Sequence, residues 1–214
     1  MDMVGIQTVL GLMPGAVVHF LWKNRDLVEG LSNWWTKPTT TFADCPTLDV
    51  VAVPMLPPEI TNDADVVGFV RSQGTRARFV VGICNGVVVL GAAGLLKGKR
   101  VTTSYNTLSL LSDLGAREVV TDGSGVVIDG NLYTAGPGVG SFEAALWVAE
   151  RAFGKAAAQL AELIIEYTPH PPFGTGTAKN AAPELVDRFE RLMGDMVAQY
   201  RAGATQAFRL LQES

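Results

Sequence analysis

Short, almost continuous apolar runs alternate along this chain with stretches of helical spacing. Val4 to Leu12 is helical in pattern and stops at Pro14-Gly15. Ala16 to Trp22, β-branched and aromatic, predicts a strand, and Leu27 to Thr40 is irregular around a Trp34-Trp35 pair. Leu48 to Val53 is the kind of run a strand shows when both faces are buried in a parallel sheet. A helix is predicted over Asp63–Gln73, capped by Thr61 or Asn62. Next come a strand at Phe79–Ile83, a small-residue helix at Asn85–Leu96, a strand at Arg100–Thr103 and a helix at Leu108–Leu114. Glu118–Asp122, Val126–Asp129 and Leu132–Ala135 read as strands, with Asp129-Gly130 as a hairpin turn. The glycine-rich Gly136–Gly140 leads into a helix at Phe142–Phe153 capped by Ser141, and helices follow at Lys155–Tyr167 and from Pro183 past Tyr200. Strands alternating with helices predict a doubly wound, mostly parallel α/β sheet. Residues 1–214 are expected to form a single domain with a C-terminal helical extension from about 183.

Composition narrows the function more than the fold. With 48% hydrophobic and 18% charged residues, 214 residues can bury a substantial core. A net charge of −4 gives no electrostatic case for nucleic acid, and no basic helix suggests a membrane surface. No apolar run approaches the ~20 residues of a membrane span. The start, Met1-Asp2-Met3-Val4-Gly5, lacks the features of a secretion signal, so a cytoplasmic location is expected. Two cysteines and two histidines with no close pairing give neither a disulfide framework nor a metal site. His19 and His170 read as structural.

The chemistry concentrates at Cys84. It stands between a strand-like and a helix-like run, in Val80-Val81-Gly82-Ile83-Cys84-Asn85-Gly86-Val87. A residue at a sharp strand-to-helix turn is pushed out beyond the carboxyl end of the sheet, where ligands of doubly wound folds bind. The following helix end favours thiolate over thiol, and Gly82 and Gly86 allow a tight turn and close approach of a substrate. The competing reading is a buried structural cysteine.

Several segments together resemble the ThiJ/PfpI superfamily and, within it, the isonitrile hydratases. They are Pro38-Thr39-Thr40-Thr41-Phe42-Ala43-Asp44-Cys45-Pro46, Leu48-Asp49-Val50, the Cys84 turn with Leu90-Gly91-Ala92-Ala93-Gly94-Leu95-Leu96, and Glu166-Tyr167-Thr168-Pro169-His170-Pro171-Pro172-Phe173. The resemblance covers nearly the whole chain. It implies a flavodoxin-like three-layer fold with a nucleophile elbow, a homodimer, no cofactor, a small-molecule substrate and a hydro-lyase activity. By resemblance, Cys84 attacks the terminal isonitrile carbon, Asp2 is the acid/base, and water completes hydration to an N-substituted formamide. Asn85, Leu56, Met55, Gly86, Thr8 and Tyr105 are the corresponding substrate-binding candidates.

The departures from the family pattern are specific. The first central strand that precedes the Asp2 position in the family is missing from this chain, so its slot is filled differently or the protein is longer. Thr8 stands where many members carry an acidic residue beside the cysteine. Met55-Leu56 replaces a Gly-Gly loop, which leaves N–H groups for an oxyanion but not glycine's freedom to aim them. Thr103-Ser104-Tyr105 replaces Thr-His-Trp, so no histidine stands at a triad position. Trp34, Trp35, Met55, Leu56 and Tyr105 are expected either to close the pocket or to serve as core and dimer contacts. Two other readings remain: a lyase, hydrolase or glyoxalase acting on another small biosynthetic substrate, and a non-catalytic redox-sensing or ligand-binding dimer.

Overall fold

Alternation with a period of two divides each central strand between two cores. In the computed structural model, which describes residues 1–30 and 33–213, strand β6 (Phe79–Ile83) turns Val80 to one side and Phe79, Val81 and Ile83 to the other. Strand β5 (Val50–Val53) divides likewise, with Val51 and Val53 in the first core and Val50 and Ala52 against the second. β5, β6, β10 (Leu132–Ala135) and β9 (Val127–Asp129) lie side by side in that order. The first three run parallel, and β9 returns antiparallel through the Asp129-Gly130 turn.

Helices cover both faces. On one side lie α2 (Ala64–Gly74), α3 (Gly86–Ala92) and α6 (Pro183–Leu210), whose Tyr200, Ala204, Ala207 and Phe208 join the core of Val80 and Val87–Leu90. On the other lie α1 (Asp2–Gly11), α4 (Val139–Phe153) and α5 (Lys155–Ile164). α1 crosses α4 so closely at Gly5 that a methyl group there would overlap the Ser141 side chain. Helix on sheet on helix, with the strand ends opening to one side, is the three-layer arrangement expected.

Several boundaries differ for local reasons. Of Ala16–Trp22 only Leu21–Trp22 (β1) pairs, in parallel with Thr40–Thr41 (β4), and the intervening segment holds a hairpin of β2 (Val28–Gly30) and β3 (Trp34–Thr36). Arg100–Val101 (β7) pairs with Glu118–Val119 (β8). The helix expected over Leu108–Leu114 is a 3-10 turn at Tyr105–Leu110. Asp63, rather than Thr61 or Asn62, caps α2, its carboxylate accepting from the Asp65 and Val66 N–H groups at 3.1 and 3.2 Å. Ser141 lies within α4, its hydroxyl donating back to the Gly138 carbonyl. Gly138 holds the cap position at φ 62°, a conformation that favours glycine.

Among the described residues β5 and β9 are the outer strands of the four-stranded sheet. The β1–β4 pair stands as a separate piece whose Trp22 and Phe42 pack on the core of Val51 and Val53.

Candidate active site

Cys84 leaves β6 in the left-handed region, at φ 55°. A non-glycine residue there is strained by roughly 1–3 kcal/mol and persists only where its surroundings hold it. Here three bonds do so. The Cys84 N–H donates to the Ala135 carbonyl at 3.0 Å, and its own carbonyl accepts from the Thr103 hydroxyl at 2.6 Å and the Val87 N–H at 3.2 Å. The glycines around it serve the protein's own backbone: a methyl group on Gly86 would overlap the Val53 and Pro54 carbonyls, and one on Gly82 would press on Leu90 and Val87. Gly86 therefore seats α3 under the loop after β5.

Asp2 opens α1 and is 9% exposed. One carboxylate oxygen accepts the Met55 N–H at 3.1 Å and the other the Gly138 N–H at 2.9 Å. The side chain thereby ties the loop after β5 to the loop after β10, with Cys84 between them. The Met55 N–H is committed to this bond, so it does not face an oxyanion as the sequence had suggested.

Burial decides the state of the thiol. It pushes Cys84 up to about 12, and the nearby Asp2 carboxylate, which accepts from the thiol, adds to the rise. The Asn85 N–H and the Ser104 hydroxyl favour the thiolate but do not prevail. The expectation that the helix end yields a thiolate is thus reversed: α3 is short, and desolvation outweighs it. At neutral pH Cys84 is a thiol with a carboxylate beside it.

Asn85 is 2% exposed and engaged within the protein. Its Oδ1 accepts from the Thr107 hydroxyl at 2.9 Å, and its amide bonds the Tyr200 phenol, which donates in turn to the Leu56 carbonyl. Asn85 therefore positions the loop rather than holding substrate by free hydrogen bonds. Burial raises Tyr200 to about 12, and Cys84 contributes to that rise. The other candidates lie apart. Thr8 is six residues beyond Asp2 on α1, about 9 Å along the axis and on another face. Tyr105 is 41% exposed, with its hydroxyl on Glu190 and its ring against Phe189. Trp34 and Trp35 stand half-exposed on β3, and His19 bonds Thr40.

Sequence reading missed four contributors. Gly138 was legible as a glycine run at a strand's carboxyl end. Ser104 was noticed only as a lost histidine. Thr107 and Tyr200 carried no local signal.

A cysteine on a strained strand-to-helix turn, at the carboxyl ends of a doubly wound parallel sheet and with a carboxylate against it, defines the class of protein. The chain belongs to the DJ-1/PfpI family, whose model matches residues 8–150. It is 42% identical to the isonitrile hydratase of Pseudomonas putida over 190 residues, 87% of this chain and 82% of that protein. A ThiJ/PfpI family protein from Pseudomonas syringae has a crystal structure that superposes with a TM-score of 0.88 at 28% identity, covering 95% of this chain and 84% of that one. The Drosophila melanogaster DJ-1beta structure shares the fold, with a TM-score of 0.68 at 24% identity over 78% of this chain and 91% of that one. Among the described residues, no helix is long and apolar enough to cross a membrane, and no cluster of metal-ligating side chains occurs.

Proposed function

We propose that this protein hydrates isonitriles, passing through a covalent adduct on Cys84. The observation that carries the reading is the Asp2 carboxylate, fixed by two backbone N–H groups against a thiol that is protonated at rest. Such a thiol needs a base at the moment of attack. Asp2 takes the thiol proton as Cys84 Sγ bonds to the terminal carbon of R–N≡C. The electron pair left on that carbon takes the proton from Asp2, giving the thioimidate R–N=CH–S–Cys84. Water then bonds to the same carbon and the C–S bond breaks. One water proton ends on nitrogen and the other returns to sulfur through Asp2. The products are R–NH–CHO and the Cys84 thiol, so atoms and charge balance and Asp2 ends as it began.

The likeness to an isonitrile hydratase supports the same chemistry. The raised thiol disfavours redox sensing, which relies on accessible, low-pKa cysteines. We take the working form to be a cytoplasmic homodimer that uses no cofactor. The test is formamide formation from alkyl and aryl isonitriles, followed by NMR. Wild type should turn over, and Cys84→Ala and Asp2→Asn should each lose at least a hundredfold. A folded wild-type protein that yields no formamide would end this reading.

A further inference from the structure

The segment after β7 is tied to the elbow at several points. The Thr103 hydroxyl donates to the Cys84 carbonyl at 2.6 Å. Ser104 follows at the start of the 3-10 turn, its carbonyl accepting from the Thr107 N–H at 3.0 Å. The Thr107 hydroxyl in turn donates to the Asn85 side chain at 2.9 Å. The main chain on either side of Ser104 is thus fixed to both residues of the elbow, and Ser104 itself is 7% exposed.

The Ser104 hydroxyl, by contrast, has two acceptors within reach and one proton to give. It donates to the Asn106 side-chain oxygen, and it stands against the Cys84 sulfur, where it favours the thiolate. While the thiol keeps its proton, sulfur is the weaker acceptor of the two, so the hydroxyl lies on Asn106. Once sulfur carries charge, turning about the Cβ–Oγ bond of Ser104 brings the same proton to it. Such a charge-assisted bond is about twice as strong as a neutral one. Asn106 is half-buried, so water can take up its oxygen when the hydroxyl leaves.

We infer that Ser104 is a catalytic residue whose hydroxyl turns from Asn106 to Cys84 Sγ as charge develops on sulfur. The inference rests on the hydratase reading for the reaction. In that reaction sulfur carries charge twice: as the thiol gives its proton to Asp2 and bonds to the isonitrile carbon, and again as the C–S bond breaks. Ser104 keeps its own proton throughout, and only its hydrogen bond changes hands. A contact made in the transition state and absent from the resting enzyme lowers the barrier to reaction. Asp2 and Ser104 then divide the work. The carboxylate moves the proton, and the hydroxyl holds the charge that the proton leaves behind.

Two substitutions at this pair should act in opposite directions. Alkylation of Cys84 by iodoacetamide at pH 8 is followed by mass spectrometry of its peptide, which keeps Cys45 out of the reading. Ser104→Ala removes the donor, so alkylation should slow about threefold, whereas Asn106→Ala frees the hydroxyl for sulfur, so alkylation should quicken about threefold. The double variant should match Ser104→Ala. With methyl isonitrile, kcat/KM should fall roughly tenfold in Ser104→Ala, less than for the loss of an oxyanion donor because sulfur is the weaker acceptor. Ser104→Ala that alkylates as fast as wild type, or that keeps its kcat/KM, would overturn the proposal. So would Asn106→Ala that alkylates no faster than wild type, the result of a pair that merely braces the turn. If wild type turns over no isonitrile, the hydratase reading falls and alkylation alone decides: opposite shifts uphold Ser104 as the group that holds the charge on sulfur, and any other pattern removes it.

Discussion

The Tyr200 phenol donates a hydrogen bond to the main-chain carbonyl of Leu56, across 144 residues of sequence. Tyr200 is fully buried, and Asn85 bonds the same oxygen. One hydroxyl thus joins the last helix, the elbow and the loop that carries the Met55 N–H. Tyr200→Phe keeps the ring but leaves the Leu56 carbonyl and the Asn85 amide short of a partner, which costs about 1–3 kcal/mol. It should lower Tm and reduce kcat, because the loop that carries the Met55 N–H loses its register. Thermal melts and steady-state kinetics on one preparation check both.

Asp2→Asn should separate reactivity from catalysis. The charge of Asp2 helps hold the Cys84 proton in place, so removing it lowers the thiol pKa and makes alkylation by iodoacetamide at pH 8 faster. Turnover should fall, because no base remains for the proton transfers. Alkylation that slows, or does not change, would mean that Asp2 does not act on Cys84.

High pH should loosen the fold through two groups at the site. In the unfolded chain Cys84 and Tyr200 ionise near 9.0 and 10.0, whereas in the fold both are held up to about 12, chiefly by burial. Folded pKa values above the unfolded ones mean that the unfolded state releases protons first. The stabilisation is whole below about pH 9 and is lost as pH rises towards 12. Wild-type Tm should therefore drop more steeply between pH 9 and 11 than that of a Cys84→Ala/Tyr200→Phe double variant. Parallel curves would contradict the burial argument.

The crossing of α1 and α4 predicts a contrast between two glycines of one helix. Gly5→Ala would drive a methyl into Ser141, forcing α1 away from α4 and carrying Asp2 with it. Overpacking of this kind costs about 1–3 kcal/mol. Gly11→Ala meets only a Val18 methyl, at 4.0 Å. It should be neutral or stabilising, by up to about 1 kcal/mol, from helix propensity. Urea unfolding of the two variants measures the difference.

Legibility in the sequence followed the range of the interactions. Phe79–Ile83 and Leu132–Ala135 were readable to the residue, because a strand buried on both faces reads as a nearly continuous apolar run, broken here only at Thr134, whose hydroxyl donates to the Val127 carbonyl. The Cys84 turn was readable because a tight strand-to-helix turn needs small neighbours. The packing role of Gly86 was not readable, because its missing side chain makes room for the Val53 and Pro54 carbonyls, neighbours that only folding supplies. Thr8 was grouped with the site by its place in a family pattern, yet the helical rotation puts it on another face of α1 from Asp2.

The sequence by itself determined the alternation of elements, the doubly wound class and the cysteine at the elbow, since each depends on residues within a few positions of one another. Tertiary structure alone decided the protonation of Cys84, the engagement of the Met55 N–H by Asp2, and the link from Tyr200 to Leu56. Burial and long-range hydrogen bonds depend on which distant segments meet. Here the desolvation of one thiol outweighs the short helix that the local pattern had suggested would ionise it.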